Sequence, residues 1–246
     1  MHILGIDVGG SGIKGAPVDT ETGQLLAARL RIKTPPQGEP EPVAEVVKQI
    51  AQSFDWKGPI GIGFPAPIKG GMVMMAANVS EKWVGTNADA LFTKITGCDC
   101  TMINDADAAG LAEMAFGAGR GQPGTVILLT LGTGIGSAIF YRGQLLPNTE
   151  FGHLRMKGQD AEFRASDAAR QRESLSWEAY AKRLDKYLRR MEILFWPDLF
   201  IIGGGISKES EKYLPLLTIE TPVVTAQLLN EAGIVGAALA VRAGAE

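Results

Sequence analysis

Three times in this chain a run of aliphatic residues ends in a cluster of glycines: IDVGGSG at residues 6–12, LTLGTGIG at 129–136 and FIIGGGIS at 200–207. Glycine at the end of a strand lets backbone N–H groups approach a ligand or another strand closely. The recurrence is too widely spaced for a short tandem repeat. Two similar halves facing each other across a nucleotide cleft would produce it. Helical patterns separate these strands, so the chain reads as α/β, and 246 residues suffice for one large domain or two small ones.

The first cluster constrains the fold most sharply. Residues 10–15, Gly-Ser-Gly-Ile-Lys-Gly, fit the G-x-G-x-x-G dinucleotide fingerprint after an evident strand at 2–8. That fingerprint must open a helix, because the pyrophosphate rests on the helix N-terminus. Here Ala-Pro-Val-Asp follows, alternating and β-rich, with Pro17 placed against helix. No G-x-x-x-x-G-K-[ST] is present either. A tight turn between antiparallel strands remains, flanked by Asp7 and Lys14. Its glycines suit an anion nest, Lys14 supplies a cation, and Asp7 can hold a metal ion through water. A structural hairpin is the plainer alternative.

Further along, Thr22-Gly23 reads as a hairpin tip, PVAEVVKQIAQSF as a helix, and PIGIGFPAPI as a buried strand. ADALFTKITG is a short helix ended by Gly97, and the chain switches from strand to helix at Asn104-Asp105. The longest helix candidate runs SWEAYAKRLDKYLRRMEILF, with Ser176 as N-cap. PDLFIIGGGISKESEKYL predicts strand, glycine turn and helix, and NEAGIVGAALAVRAG a small-residue helix.

Composition excludes several classes. No apolar run reaches the roughly 18 residues that span a bilayer, and the N-terminus lacks a basic leader, so a cytoplasmic protein without membrane contact is expected. Net charge is only −3, against broad nucleic-acid binding. Residues 154–190 carry ten Lys or Arg against six Asp or Glu, leaving −7 for the remainder. That segment is either a solvated face or a track for a polyanion. Cys98 and Cys100 lack a second Cys or His pair, and read as reduced residues near a strand.

Four ordered stretches, Asp7–Gly15, Asn104–Ala109, Leu131–Gly136 and Glu150-Phe-Gly-His153, resemble sugar kinases of the repressor–ORF–kinase (ROK) family. Gly203-Gly-Gly205 and Asn230–Ala238 follow in the expected order. The stretches GGSGIKG, AANVSEKWVGTN, INDADAAGLAE, TLGTGIGSA and NEAGIVGAA look like those of its polyphosphate glucokinase branch. The resemblance implies a two-domain, actin-like (ribonuclease H-like) ATPase fold with an interdomain cleft. A smaller domain would hold residues 1–104 with 233–246, and a larger one 105–232.

It also implies roles. Asp105 would be the catalytic base toward the 6-hydroxyl of glucose, held ionised at a helix start; its plainer reading is a helix N-cap. Asn78, Asn104, Glu150 and His153 would bind sugar hydroxyls, with Trp83 shaping the loop after Asn78. Asp7, Gly9, Gly10, Ser11, Gly12 and Lys14 would hold phosphate, and Thr133 and Gly134 a second phosphate turn, with Gly204 and Gly205 against nucleotide or further phosphates. Mg²⁺ is the implied cofactor, reached from Asp7 through water.

Two departures matter. Zinc-bearing relatives follow the Gly-His with a cysteine cluster, whereas residues 154–176 contain no cysteine, so His153 is expected to bind sugar and no zinc site is expected. Glu162 is then the nearest candidate for a further sugar contact. Ala66 also stands where many relatives have Gly. The implied reaction transfers a phosphoryl group from inorganic polyphosphate, ATP or both to glucose or mannose, in a homodimer. The alternatives are an ATP-dependent hexokinase of the same family and a non-catalytic sugar-sensing repressor. Such repressors carry a helix-turn-helix ahead of the kinase-like part, and here the phosphate strand begins at residue 2.

Overall fold

A computed structural model of the chain describes residues 1–76 and 79–243. The chain divides into two compact units, residues 1–116 with 230–246, and residues 117–229.

The first unit opens with β1 (His2–Gly9) and β2 (Gly12–Asp19), antiparallel and paired up to Gly9 opposite Gly12. Only Gly10 and Ser11 lie between them, so the opening cluster is a hairpin tip, incompatible with a dinucleotide fold. Gly23, at φ +73°, turns the chain into β3 (Gln24–Leu25), and β4 (Leu30–Ile32) also pairs with β2. Then come α1 (Pro40–Ser53), β5 (Ile60–Phe64), the small hairpin β6 (Ile68–Lys69) and β7 (Met72–Val73), and α2 (Ala88–Thr96), closed by Gly97 in the left-handed conformation. β8 (Cys100–Asn104) passes directly into α3 (Asp105–Phe116). The sheet order is β3-β2-β1-β5-β8, with β1, β5 and β8 parallel.

Both faces of this sheet are covered, which its near-continuous apolar strands require. Leu4, Ile6, Val8, Ile13, Ile60 and Ile62 pack with Val43, Val47 and Ile50 of α1 on one face. The other takes the C-terminal helix, Ala232–Ala243, whose small residues are its reason for fitting. A Cβ on Gly5 would collide with the Ile234 carbonyl, one on Gly61 with that of Ala237, and one on Gly236 with that of Ala108 in α3. The last contact also corrects the expected boundary at residue 104. With the C-terminal helix wedged against it at backbone distance, α3 belongs to the first unit, which is therefore the larger.

The second unit contains β9 (Thr125–Leu131), β10 (Ile135–Tyr141) and β11 (Gln144–Leu146), then the small hairpin β12 (Arg155–Met156) and β13 (Gln159–Asp160). Three helices follow, α4 (Glu162–Ala165), α5 (Asp167–Arg172) and α6 (Trp177–Phe195), before β14 (Leu199–Gly203) and β15 (Val223–Thr225). Its sheet order is β11-β10-β9-β14-β15. Ser176 caps α6 as the sequence predicts, accepting from the Ala179 N–H at 3.2 Å. Tyr180, Leu184, Tyr187, Leu188 and Met191 form its buried stripe. The expected helix after Gly203-Gly-Gly205 is instead a run of 3-10 turns, Gly205–Lys212, interrupted at Glu209.

Candidate active site

In the first unit the functional groups gather where the parallel strands end, the edge at which α/β sheets bind ligands. Asp7 on β1 stands opposite Lys14 on β2, and Lys14 Nζ lies 3.0 Å from Asp7 Oδ2, both side chains about one quarter exposed or less (26% and 20%). Gly233, in the first turn of the C-terminal helix, approaches the same carboxylate: a Cβ there would lie 3.1 Å from Asp7 Cγ. The helix start and Lys14 thus both lie beside this carboxylate.

The hairpin tip itself is open at Gly10, where an added side chain would meet nothing. Gly12 is different. Its missing Cβ makes room for the guanidinium of Arg31, a residue of β4 whose Nη2 donates to the Ser11 carbonyl at 2.9 Å. Thr34 Oγ1 donates to the Gly9 carbonyl at 2.5 Å. Beside the tip lies a recess of about 380 Å³ lined by Val8, Gly9, Gly10, Thr34, Gln37 and Ser80 among others.

Asn104 and Asp105 sit at the β8–α3 junction. Asn104, nearly fully buried, accepts through Oδ1 from the N–H groups of Ala106 (2.9 Å) and Asp107 (3.1 Å), and so is itself the cap of α3. This divides two roles that the sequence leaves tangled. Capping falls to Asn104, and Asp105 occupies the first helical position, half-buried, where the macrodipole favours its anion. Any sugar contact by Asn104 must come from its amide N–H donors, because its oxygen is engaged. Asp7 lies on β1 and Asp105 directly follows β8, and those two strands are two apart in the sheet, a lateral separation of roughly 10 Å.

In the second unit the β9–β10 turn carries Thr133 and Gly134, and it is lined by carboxylates. Glu162, at the start of α4, accepts from the Ile135 N–H at 3.4 Å, and its Oε2 occupies the space a Cβ on Gly134 would need. Glu150 and His153 frame the 3-10 turn Phe151–His153. Ser137 on β10 fixes that turn: its hydroxyl meets the Thr149 carbonyl at 2.7 Å and accepts from the Phe151 N–H at 3.0 Å. Gly152 lets the turn press against the Ile135 carbonyl.

Burial raises the Glu150 carboxyl above its ordinary range, opposed by His153 and reinforced by Glu162. The His153 imidazole is pushed up chiefly by its 3.0 Å contact with Asp160, then by Glu162 and Glu150. Asp160 is shared with Arg155, at 2.9 Å. Gly204, at φ +82°, lies against the backbone of Leu131, where any Cβ would collide, so β14's glycine turn abuts the one ending β9. Gly205 meets nothing comparable.

Asn78 lies outside the described residues. Trp83 is fully buried, stacked among Phe64 and Phe92, and its indole N–H donates to the Gly38 carbonyl at 2.7 Å. It shapes the loop that lines the recess without lining it. Cys98 and Cys100 are free buried thiols, and burial pushes Cys100 up to about 11, so neither is a ready nucleophile. Among the described residues no three His, Cys, Asp or Glu side chains converge as a metal site, and no helix is long and apolar enough to cross a membrane. Sequence reasoning missed Arg31, Thr34 and Asp160. The alternation Arg29-Leu-Arg31-Ile-Lys33 was a usable signal for the first.

A family model described as the ROK family matches residues 3–169. A polyphosphate glucokinase of Mycobacterium tuberculosis is 50% identical over 240 residues, covering 97% of this chain and 91% of the relative. Among solved structures, the inorganic polyphosphate/ATP-glucomannokinase of Arthrobacter sp. strain KM superposes with a TM-score of 0.94 at 49% identity, covering 99% of each chain. A ROK family glucokinase from Streptomyces griseus, in complex with glucose and AMPPNP, gives 0.83 at 26% identity over 99% of this chain and 100% of that one.

Proposed function

From the premise that the chain belongs to the ROK family, with the two-domain actin-like ATPase fold of its sugar kinases, we propose that it is a glucokinase driven by inorganic polyphosphate. The observation that carries this is the 50% identity to a polyphosphate glucokinase across nearly the whole chain. ATP is the accompanying donor, by likeness to the glucomannokinase. Glucose is the principal acceptor; mannose is a second.

Asp105 takes the proton of the sugar 6-hydroxyl as that oxygen attacks phosphorus. Its place at the first position of α3 holds it as an anion, and Asn104 fixes the start of that helix by capping it. Glu150, His153 and Glu162 hold the sugar: carboxylates accept from vicinal hydroxyls, and the imidazole adds a donor. A Glu150 whose carboxyl is raised by burial can bond as donor or acceptor. Asn104 contributes its amide donors, and Asn78 is a further sugar contact.

Phosphate is held by the tip Gly9–Gly12 and by Lys14, whose ammonium neutralises the transferred group. Thr133, Gly134, Gly204 and Gly205 complete the donor side. Mg²⁺, held by one or two carboxylates with phosphates and retained water, suits Asp7, which offers one carboxylate already shared with Lys14. The ion supplies charge neutralisation on the phosphates. The enzyme works in the cytoplasm as a homodimer, without nucleic acid or membrane.

The deciding experiment is a coupled glucose 6-phosphate assay across ATP, GTP and polyphosphates of several lengths. Turnover with polyphosphate sustains the proposal. Turnover with ATP and none with any polyphosphate replaces it with an ordinary ATP-dependent hexokinase.

A further inference from the structure

The obvious place to seek cations for a polyanion is the stretch 154–190, but five of its ten cations are engaged with carboxylates of the same stretch. Arg155 holds Asp160 at 2.9 Å, Arg170 holds Asp167 at 3.0 Å with its guanidinium 4.3 Å over the Trp177 ring, and Arg183 holds Glu173 at 2.5 Å. Arg172 donates to the Phe163 carbonyl at 2.7 Å and reaches Glu173 at 3.4 Å, and Arg189 lies 3.8 Å from Asp185. These pairs tie the second unit's surface together.

The first unit offers something else. On β4, Leu30 and Ile32 pack against the apolar core and Arg31 between them points the other way. Arg29 and Lys33 flank the strand at its two ends, and all three cations are exposed. Arg31 stands directly opposite Lys14, and Lys14 opposite Asp7, so the three share one face of the sheet. The carboxylate in that row, Asp7, is already balanced by Lys14. The surplus is three positive charges, Arg31 on β4 with Arg29 and Lys33 just outside its two ends.

Two contacts tie this row to the phosphate turn. The Arg31 guanidinium lies in the space that Gly12 leaves empty, with Nη2 on the Ser11 carbonyl. Arg29 Nη1 donates to the Asn230 carbonyl at 3.3 Å, just ahead of the C-terminal helix whose start faces Asp7. A guanidinium has five donors, so neither contact exhausts its residue.

We infer that Arg31 on β4, with Arg29 and Lys33 at the two ends of that strand, binds the part of a polyphosphate chain that extends beyond the group being transferred, with Arg31 as the entry from the glycine turn. This rests on the polyphosphate reading above and gives the donor a path within the first unit. The recognition is electrostatic: a linear polyanion with regularly spaced charges laid along a segment that carries a cation at every second position, 29, 31 and 33.

The test compares long-chain sodium polyphosphate with sodium tripolyphosphate, which is too short to cover the row, at a series of KCl concentrations. In the double variant Arg29→Gln/Lys33→Gln, the ratio of long-chain KM to tripolyphosphate KM rises about ten-fold, and the salt slope for the long chain falls by about one to two, as loss of two polyanion contacts requires. Arg31→Lys raises KM for both lengths, because it keeps the charge and loses the fork. Melting curves accompany each variant, and Lys33→Gln alone carries the test if loss of the Arg29–Asn230 contact impairs folding. An unchanged ratio in these variants overturns the track, as does the same ratio change produced by Lys157→Gln/Arg164→Gln in the second unit. A wild-type protein active with ATP and with neither polyphosphate overturns the donor reading itself, a result distinct from both.

Discussion

The glycine turns Gly9–Gly12 and Leu131–Ile135 are both hairpin tips, of two and three residues between the paired ends, and their electrostatics are opposite. Each joins two antiparallel strands by a short tip. Around the first stand Lys14 and Arg31, with one balanced carboxylate. Around the second stand Glu162, in contact with an N–H of the turn, and Glu150 coupled to it. A nest of N–H groups attracts an anion in either case, but in the second a side-chain carboxylate already holds part of that position. Similar strands and turns therefore do not imply the same ligand. The side chains that other segments bring to them decide it.

The division of labour can be broken most severely at its chemistry. Asp105→Asn is expected to lower kcat by roughly 10²–10⁴ while glucose still binds, measured by intrinsic fluorescence titration; wild-type turnover would remove the base. Next, Lys14→Ala should lower phosphoryl transfer by about 10²-fold with every donor and spare glucose affinity. A defect confined to glucose KM would assign the first turn to sugar and collapse the contrast. At the second turn, Glu162→Gln should raise glucose KM about ten-fold, the loss of one hydrogen bond to a charged group, with polyphosphate KM unmoved. If polyphosphate KM changed and glucose KM did not, Glu162 would serve the donor side together with Thr133 and Gly134, and not the sugar.

The smallest effect concerns His153. Its folded value lies above its ordinary 6.5 because the Asp160 carboxylate accepts a hydrogen bond from the protonated ring. A raised folded value means the native state binds the proton more tightly. That contribution to stability is complete below about pH 6.5 and is lost as the pH rises through the folded value. NMR titration of the chain's two histidines should place His153 above 6.5, and Asp160→Asn should bring it down. An unmoved midpoint would detach Asp160 from the site.

Local patterns made much of this legible. Pro17 and the alternation around it told the hairpin from a helix, and the sequence Asn104-Asp105 marked a strand ending in a helix. What escaped depends on pairing over distance. Arg31 reaches the first turn only because β4 folds back onto β2, and Glu162 reaches the second from 27 residues away. Capping by Asn104 and not Asp105 turns on a shift of a single residue, below what a cap signal resolves. The run after Gly205 has a helix-like composition, yet Glu209 adopts non-helical angles and the segment stays in 3-10 turns. Trp83, polar at one end, was legible as a loop residue, whereas its ring fills the core.

The C-terminal helix carries one last consequence, for the order in which the protein is made. In the order of synthesis Asp7 precedes the second unit, and Gly233, which closes against it, follows that unit. The second unit is encoded in an unbroken stretch between them. Vectorial synthesis therefore delivers every residue of residues 117–229 before the first unit can seat its final helix, and until then β1 and β5 present a glycine-lined apolar face to the cell. A chain made only as far as residue 229 would hold every residue of the second unit, and an Asp7 not yet met by the helix that closes against it.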